Sequence, residues 1–344
     1  DKDPQQAADD LIHEYEHMFN GDGAFAASAQ PVYVPEDNLV IQSQGDEDDV
    51  TLRTLSRKVD LKELKQALKG SSCSRSTDDG FPDMLLRCLP STARETLCEL
   101  MNMALLSSKG PVSWKKTTTV LVEKPGRAGQ YRPIGLMPCP QRVLCRLLLA
   151  RLVTYERSRG IHMHAAQHGF LADRGCHDAV LGVRAVMERI ADVQIVSLDA
   201  SNAFSRVQQG SVIDAMLRLG FPKQATSMLG NVLGGTVTRI RFGGSLYSRD
   251  IPVTRGCVQG SALSPRLFVY AIDAAIREGW RTARRQPLFH APVVALADDL
   301  LCMATGAQEL QDIVSAVVDA SARSGISQNP AKAAHWAKAC LLYT

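Results

Sequence analysis

Three aspartates sit where short apolar segments should end. Asp199 closes VQIVSLDA, and Asp298 and Asp299 form a pair inside VVALADDLLCM. Placing carboxylates beside buried strands costs several kcal/mol unless something positive compensates. Three further adjacent Asp pairs, at 9–10, 48–49 and 78–79, all lie in polar surroundings. A strand-terminal Asp facing an Asp pair on a neighbouring hairpin can hold two divalent cations about 3.5–4 Å apart, as nucleotidyl transfer requires. One cation acidifies an attacking 3′-hydroxyl and the other neutralises leaving pyrophosphate. Short Asp side chains tie such ions to the backbone, and their hard oxygens suit Mg²⁺. Taken singly, Asp199 reads equally well as a turn or cap former, while the pair favours function over an ordinary turn. Their combination is the informative feature.

The elements that would position these residues are legible in the periodicity. Asp60 can cap a helix with Leu61, Leu64 and Leu68 on one face, ended by Gly70. After a polar loop, SSCSRSTDDGFP, helical patterns run from about 84 to 89 and from 91 to about 106. Beyond Trp114, VLVEKPGR reads as a strand entering a Pro-Gly turn, and helix returns from about 141 to 155. A helix within SVIDAMLRLG should close at Gly220, and TRIRFGGSLYSRDIPV reads as a hairpin turning at Gly243-Gly244. Ser264 and Pro265 open a helix whose inward face is Leu267, Phe268, Ala271, Ile272 and Ala275. The second Asp segment suits a tight hairpin, followed by an amphipathic helix over about 307–324.

Charge is unevenly distributed. Residues 1–50 hold thirteen Asp and Glu against one Lys, which leaves 38 basic and 23 acidic groups in the remainder. A basic globular part suits a polyanionic partner, although a solvated surface accounts for it equally well. The acidic segment 1–55 is expected to be mostly disordered, apart from a short apolar periodicity between Leu11 and Phe19. Nine cysteines without C-x-x-C spacing are expected to be buried thiols and not a disulfide framework. No apolar run reaches membrane-helix length. The first residue is Asp, so the chain is expected to begin inside a longer polyprotein.

From about Lys115 to Lys332 the sequence resembles the reverse transcriptase of non-LTR retrotransposons, with six blocks in the family's order. KPGRAGQYRPIGLMP is similar to the fingers signature, QHGFLADRG to the block after it, and SLDASNAFSRV to the block carrying the first metal-binding Asp. RGCVQGSALSPRLFVYAI resembles the Gln-Gly-Ser turn before the palm helix, LADDLL the Asp-Asp hairpin, and GISQNPAKAAHW the Asn and Lys that follow. Upstream, LKELKQALKGSS and GFPDMLLRCLP loosely resemble the extension before the fingers. Leu296, Val258 and Ser205 stand where the family usually has an aromatic, Pro and Asp. These departures point to a divergent branch, such as the site-specific elements of trypanosomatids, and remove no metal ligand.

The resemblance implies an α+β right-hand polymerase core of fingers and palm, with an antiparallel palm sheet backed by helices. Its divisions would be an acidic segment 1–55, a helical extension 56–110, and fingers and palm over 111–344, with the thumb absent. Asp199, Asp298 and Asp299 would be catalytic and bind two Mg²⁺ ions, for which Mn²⁺ can substitute. Lys124, Arg127 and Arg132 would clamp the incoming triphosphate, with solvated surface charge as the alternative. Phe204 would exclude the ribose 2′-hydroxyl, or else pack into the core. Gln259 and Gly260 would let backbone approach the templating pair, or form a plain capping turn. Lys332 would face the active site as a proton donor to pyrophosphate, or be a surface Lys. Arg277, Arg281, Arg284 and Arg285 fall at helical spacing and could track a phosphate backbone or face solvent. His162, His164 and His168 lack partners at zinc-finger spacing.

RNA template, DNA primer or target and deoxynucleoside triphosphates are the implied partners, with no membrane. The implied reaction is RNA-directed DNA synthesis by target-primed reverse transcription, in the nucleus after a cytoplasmic ribonucleoprotein stage. A scaffold whose chemistry has lapsed and an RNA-templated RNA polymerase are the rival readings. Retention of all three Asp residues opposes the first, and the bulk of Phe204 opposes the second.

Overall fold

The computed structural model describes residues 4–20, 55, 57–69, 83–106, 110–242, 246–283 and 291–337. They form two units, Asp1–Ile161 with Leu217–Ser264, and His162–Met216 with Pro265–Thr344. The class is α+β.

The first unit is built on a mixed sheet. Strand β1 (Lys116–Lys124) turns at Pro125-Gly126 into antiparallel β2 (Arg127–Leu136), with Gly126 at φ 70°. On its other side β1 pairs in parallel with β4 (Val237–Phe242), about which β5 (Leu246–Tyr247) and β6 (Ile251–Pro252) fold antiparallel. The expected hairpin is therefore real, but its first strand also joins β1 across some 120 residues. Its Gly243-Gly244 turn lies outside the described residues. Lys115, in the 3₁₀ turn before β1, donates to the Gly234 carbonyl at 2.8 Å and fixes the start of that pairing.

Helices of this unit follow the apolar spacing. Helix α1 (Pro4–Asn20) comes first, then α2 (Leu61–Lys69), α3 (Asp83–Arg87), α4 (Ser91–Leu106) and α5 (Cys139–Arg159). Asp60 caps α2 by accepting from the Glu63 amide at 2.8 Å. The buried Arg151 of α5 reaches back to α2, donating to both Glu63 oxygens at 2.7 and 2.9 Å and to the Leu55 carbonyl at 2.9 Å. Gly160 ends α5 in the left-handed conformation.

Within segment 1–55, expected to be mostly disordered apart from the apolar periodicity at Leu11–Phe19, Pro4–Asn20 is helical. Its apolar stripe buries Tyr15, Met18 and Phe19 against Ile240, Ile251 and Val253, with Leu121 and Tyr131 packed alongside. Arg249 grips Glu16 through two hydrogen bonds, and Arg255 donates to the His17 and Met18 carbonyls. A stripe at 11, 12, 15, 18 and 19 is enough to dock a helix even where acidic residues dominate the composition. Residues 21–54, the loop at 71–82 and Gly70 lie outside the described residues. Cys88 and Cys176 are exposed, which also departs from the expectation of buried thiols.

The second unit holds a four-stranded, wholly antiparallel sheet in the order β7-β8-β3-β9. These are β3 (Gln194–Leu198), β7 (Val293–Leu296), β8 (Asp299–Ala304) and β9 (Ala334–Ala337). Helix α6 (Cys176–Arg189) covers part of one face, where Ala179 joins Val193, Ile195, Val294 and Met303. Helices α7 (Ala203–Arg206) and α8 (Gln209–Arg218) follow β3, and α9 (Lys223–Leu233) returns to the first unit. Helix α10 (Ser264–Ala283) buries each of its five expected inward residues. Gly279 permits its close approach, since a Cβ there would lie 2.6 Å from Val317 and 2.7 Å from Val293. Helix α11 (Ala307–Arg323) completes the packing with Leu310, Ile313 and Val317 buried.

Candidate active site

Four of the singled-out residues lie together on the second unit, Asp199, Asp298, Asp299 and Lys332, and Phe204 belongs to the same unit. Asp199 immediately follows β3, the strand between β8 and β9. Asp298 lies in the two-residue turn of the β7–β8 hairpin, and Asp299, paired with Leu296, opens β8. Since β3 and β8 are antiparallel, with Leu198 opposite Leu300, the end of one strand meets the start of the other and all three carboxylates share one edge.

Lys332 is brought to this edge by a short turn. Asn329 donates its amide to the Asp199 carbonyl at 2.8 Å, while its side chain accepts from the Ala331 amide at 3.1 Å. That arrangement caps a 3₁₀ turn over Pro330–Lys332 and presents the Lys332 ammonium to Asp199 Oδ2 at 2.6 Å. The Lys332 side chain thus pairs with Asp199 while remaining 41% exposed.

The electrostatics follow from this crowding. Burial raises the Asp298 carboxyl above the ordinary carboxylate range, and the Asp299 and Asp199 charges push it further. Asp299 is raised by burial and then by Asp199, and Lys332 offsets both shifts in part. Negative charge is thus concentrated beyond what one ammonium relieves, which favours an added cation. The donor set is three carboxylates and suits a hard divalent ion. Among the described residues, however, no three acidic, His or Cys side chains already converge on a single point at chelating distance.

Phe204 lies just past a reversal in which Asn202 takes a positive φ of 48°. Its half-buried ring stacks on the buried Phe268 at 4.4 Å between centroids and meets Phe170 edge-on at 5.9 Å. The core-packing alternative therefore holds for one face of the ring.

Lys124, Arg127, Arg132, Gln259 and Gly260 belong to the first unit. Lys124 and Arg127 flank the Pro-Gly turn, and Arg132 is exposed on β2 opposite Val122. Gln259 and Gly260 form a tight turn against β2, where the Gly135 amide donates to the Gln259 carbonyl at 2.7 Å. Gly260, at φ 113°, lies so close to Gly135 that a Cβ would come within 2.8 Å of its carbonyl oxygen.

Other candidates have structural employment. Arg277 pairs with the buried Asp273 and donates to the His162 carbonyl, and Arg281 pairs with Glu278. Arg284 and Arg285 lie outside the described residues. His164 packs its ring 4.8 Å from that of Trp280. Sequence reasoning placed Gln167 in the QHGFLADRG block but gave it no role; it is wholly buried and hydrogen-bonded to the backbone of the Asp hairpin. Its signal was the Gln-x-Gly-Phe spacing.

Residues 122–341 match the family described as reverse transcriptase (RNA-dependent DNA polymerase). Among curated relatives, the Pol polyprotein of the type-1 retrotransposable element R2 of Popillia japonica is 27% identical over 288 residues, covering 80% of this chain and 39% of that protein. The Pol polyprotein of the type-2 element R2DM of Drosophila melanogaster is 29% identical over 280 residues, covering 78% and 26%. The RNA-directed DNA polymerase of the Drosophila melanogaster mobile element jockey is 25% identical over 292 residues, covering 81% and 30%. The chain thus spans well under half the length of these relatives. A match over most of its length, with three aspartates gathered at one sheet edge inside the matched region, makes this chain a member of the reverse transcriptase family.

Proposed function

We propose that the chain is the fingers and palm of an RNA-directed DNA polymerase from a non-LTR retrotransposon, copying element RNA into DNA by target-primed reverse transcription. The gathering of Asp199, Asp298 and Asp299 beside Lys332 carries this reading. When bound, two Mg²⁺ ions, or Mn²⁺ in their place, would acidify the primer 3′-hydroxyl and neutralise pyrophosphate. Asp199 and Asp298 would hold them, with Asp299 completing the acidic edge. Lys332, paired with Asp199, would donate a proton to the leaving pyrophosphate. Lys124, Arg127 and Arg132 would supply donors to the triphosphate, and Gln259-Gly260 would border the templating base pair. Phe204 would close the space that a ribose 2′-hydroxyl needs.

In this reading the first unit supplies the fingers and the helical extension, and the second the palm, with template recognised by backbone and shape. No helix of the described residues is long and apolar enough to cross a membrane. Use of a chromosomal DNA target carries synthesis to the nucleus, after a cytoplasmic ribonucleoprotein stage. A lapsed scaffold is disfavoured, because it would gain nothing from carboxylates that repel one another. Primer extension on an RNA template with Mg²⁺ tests the proposal. Asp199→Ala or Asp298→Ala should abolish synthesis and leave RNA binding largely intact, and unimpaired extension by either variant would overturn it.

A further inference from the structure

We infer that Gln167 is a positioning residue for the carboxylate hairpin, holding Ala297 in a left-handed turn and thereby fixing where Asp298 points. Ala297 has φ 59°, a conformation that residues bearing a Cβ rarely adopt without surrounding constraint. The constraint is visible. The Gln167 side chain is fully buried, and its Oε1 accepts from the Ala297 amide at 2.9 Å and from the Gly169 amide at 2.7 Å. Its Nε2 donates to the Ala297 carbonyl at 3.3 Å. One side chain thus satisfies both polar groups of the residue immediately before Asp298, within a turn too tight to satisfy them itself.

The segment carrying Gln167 is itself anchored. It runs as a parallel bridge beside β7, with the His168 amide donating to the Ala295 carbonyl at 2.8 Å and the Ala295 amide to the Ala166 carbonyl at 2.9 Å. Arg174 donates to the Gln167 carbonyl at 3.1 Å and to the His164 carbonyl at 2.9 Å. Gly169 closes the clamp, because a Cβ there would lie 2.3 Å from the Ala297 nitrogen. Gln and Gly two residues apart therefore serve one purpose, a donor-acceptor pair above the turn and bare backbone against it. A buried Gln that merely satisfied itself would not require Gly at that spacing.

The clamp stands on geometry alone, while its bearing on metal binding rests on the proposed function, and the test separates the two. Amide exchange would be followed in the full chain for wild type, Gln167→Met, Gln167→Glu and Gly169→Ala, with Mn²⁺ binding measured without substrate. Gln167→Met preserves volume but removes the polar atoms. It should speed exchange of the Ala297 amide about tenfold or more while β1–β2 amides stay protected. Gln167→Glu keeps the acceptor oxygen and should restore most of that protection. Gly169→Ala should speed exchange at Ala297 as Gln167→Met does. Mn²⁺ affinity should fall about 10–100-fold in Gln167→Met, as for other groups that orient metal ligands. Unchanged exchange at Ala297, or a rise equal to that of β1–β2, would overturn the positioning role. Asp298→Ala is the reference: if it leaves Mn²⁺ binding unchanged, the metal reading fails while the exchange data still decide the clamp.

Discussion

Replacing Phe204 with Ala removes a ring that the structure gives two neighbours and a partly open edge. Its stack on Phe268 at 4.4 Å and its edge contact with Phe170 at 5.9 Å each contribute about 0.5–1.5 kcal/mol beyond area burial. Truncating a fully buried Phe costs about 3–5 kcal/mol, and because this ring is only half-buried we expect about 2–3 kcal/mol. For a chain of 344 residues unfolding as a whole, that corresponds to a melting temperature lower by about 3–4 °C. If the open part of the ring also occupies the space of a 2′-hydroxyl, discrimination against ribonucleotides should fall about 10–100-fold, since an apolar pocket alone rejects an added hydroxyl poorly. The assay pairs competitive single-nucleotide incorporation of the two sugars with thermal melting. Phe204→Leu should recover much of the sugar selectivity but little of the stacking. An unchanged sugar ratio in Phe204→Ala with the expected stability loss would reject the gate. An unchanged melting temperature would instead reject the packing arithmetic.

Asp298→Asn should stabilise the fold while abolishing synthesis. Because the folded Asp298 carboxyl titrates above its unfolded counterpart, the stability it contributes is present below the unfolded pKa and is lost as pH rises through the folded one. Wild type should therefore weaken across that window relative to the Asn variant, and an Asn variant melting lower at neutral pH would refute the repulsion. Arg151→Ala leaves Glu63 without its bidentate partner and should cost about 3–5 kcal/mol by chemical denaturation, of which Arg151→Lys recovers only part. RNA binding should weaken steeply with salt, log K falling by about 0.7 per phosphate neutralised for each unit of log salt, and a flat dependence would argue against the basic surface as its source.

The hairpin of the Asp pair was legible because apolar flanks, VVALA and LLCM, enclose only Asp298 and Asp299, and the turn falls within one residue of that pair, on Ala297 and Asp298. Asp60, Ser91 and Ser264 marked helix starts for equally local reasons. Helix α1 was missed because acidic composition outweighed a stripe only five residues strong, and a docking face cannot be recognised without its partner sheet. The parallel pairing of β1 with β4 links Lys116 to Val237, a separation at which local patterning is silent. The part of Gln167 was hidden for a related reason: its hydrogen bonds run to Ala297, 130 residues away, so its place in the QHGFLADRG block gave no sign of what it holds. Which way Lys332 faced was equally undecidable until the cap at Asn329 was seen to tie it to Asp199.

The chain crosses between its two units three times, and this sets a timetable for its synthesis. The first sheet has only a two-stranded hairpin until residue 242 has left the ribosome, by which time β3 of the second sheet has already emerged alone. That strand then waits through more than one hundred residues for β8, and β9 comes later still. During this interval the apolar residues of β3, Ile195 and Leu198, have no strand partner, and pairings so distant in sequence form slowly. Neither unit can be expressed as a simple N- or C-terminal half: a break between α8 and α9 would separate β1 from β4 and β3 from β8 in one cut. Fragments prepared for study therefore need boundaries outside residues 116–337, or both halves supplied together.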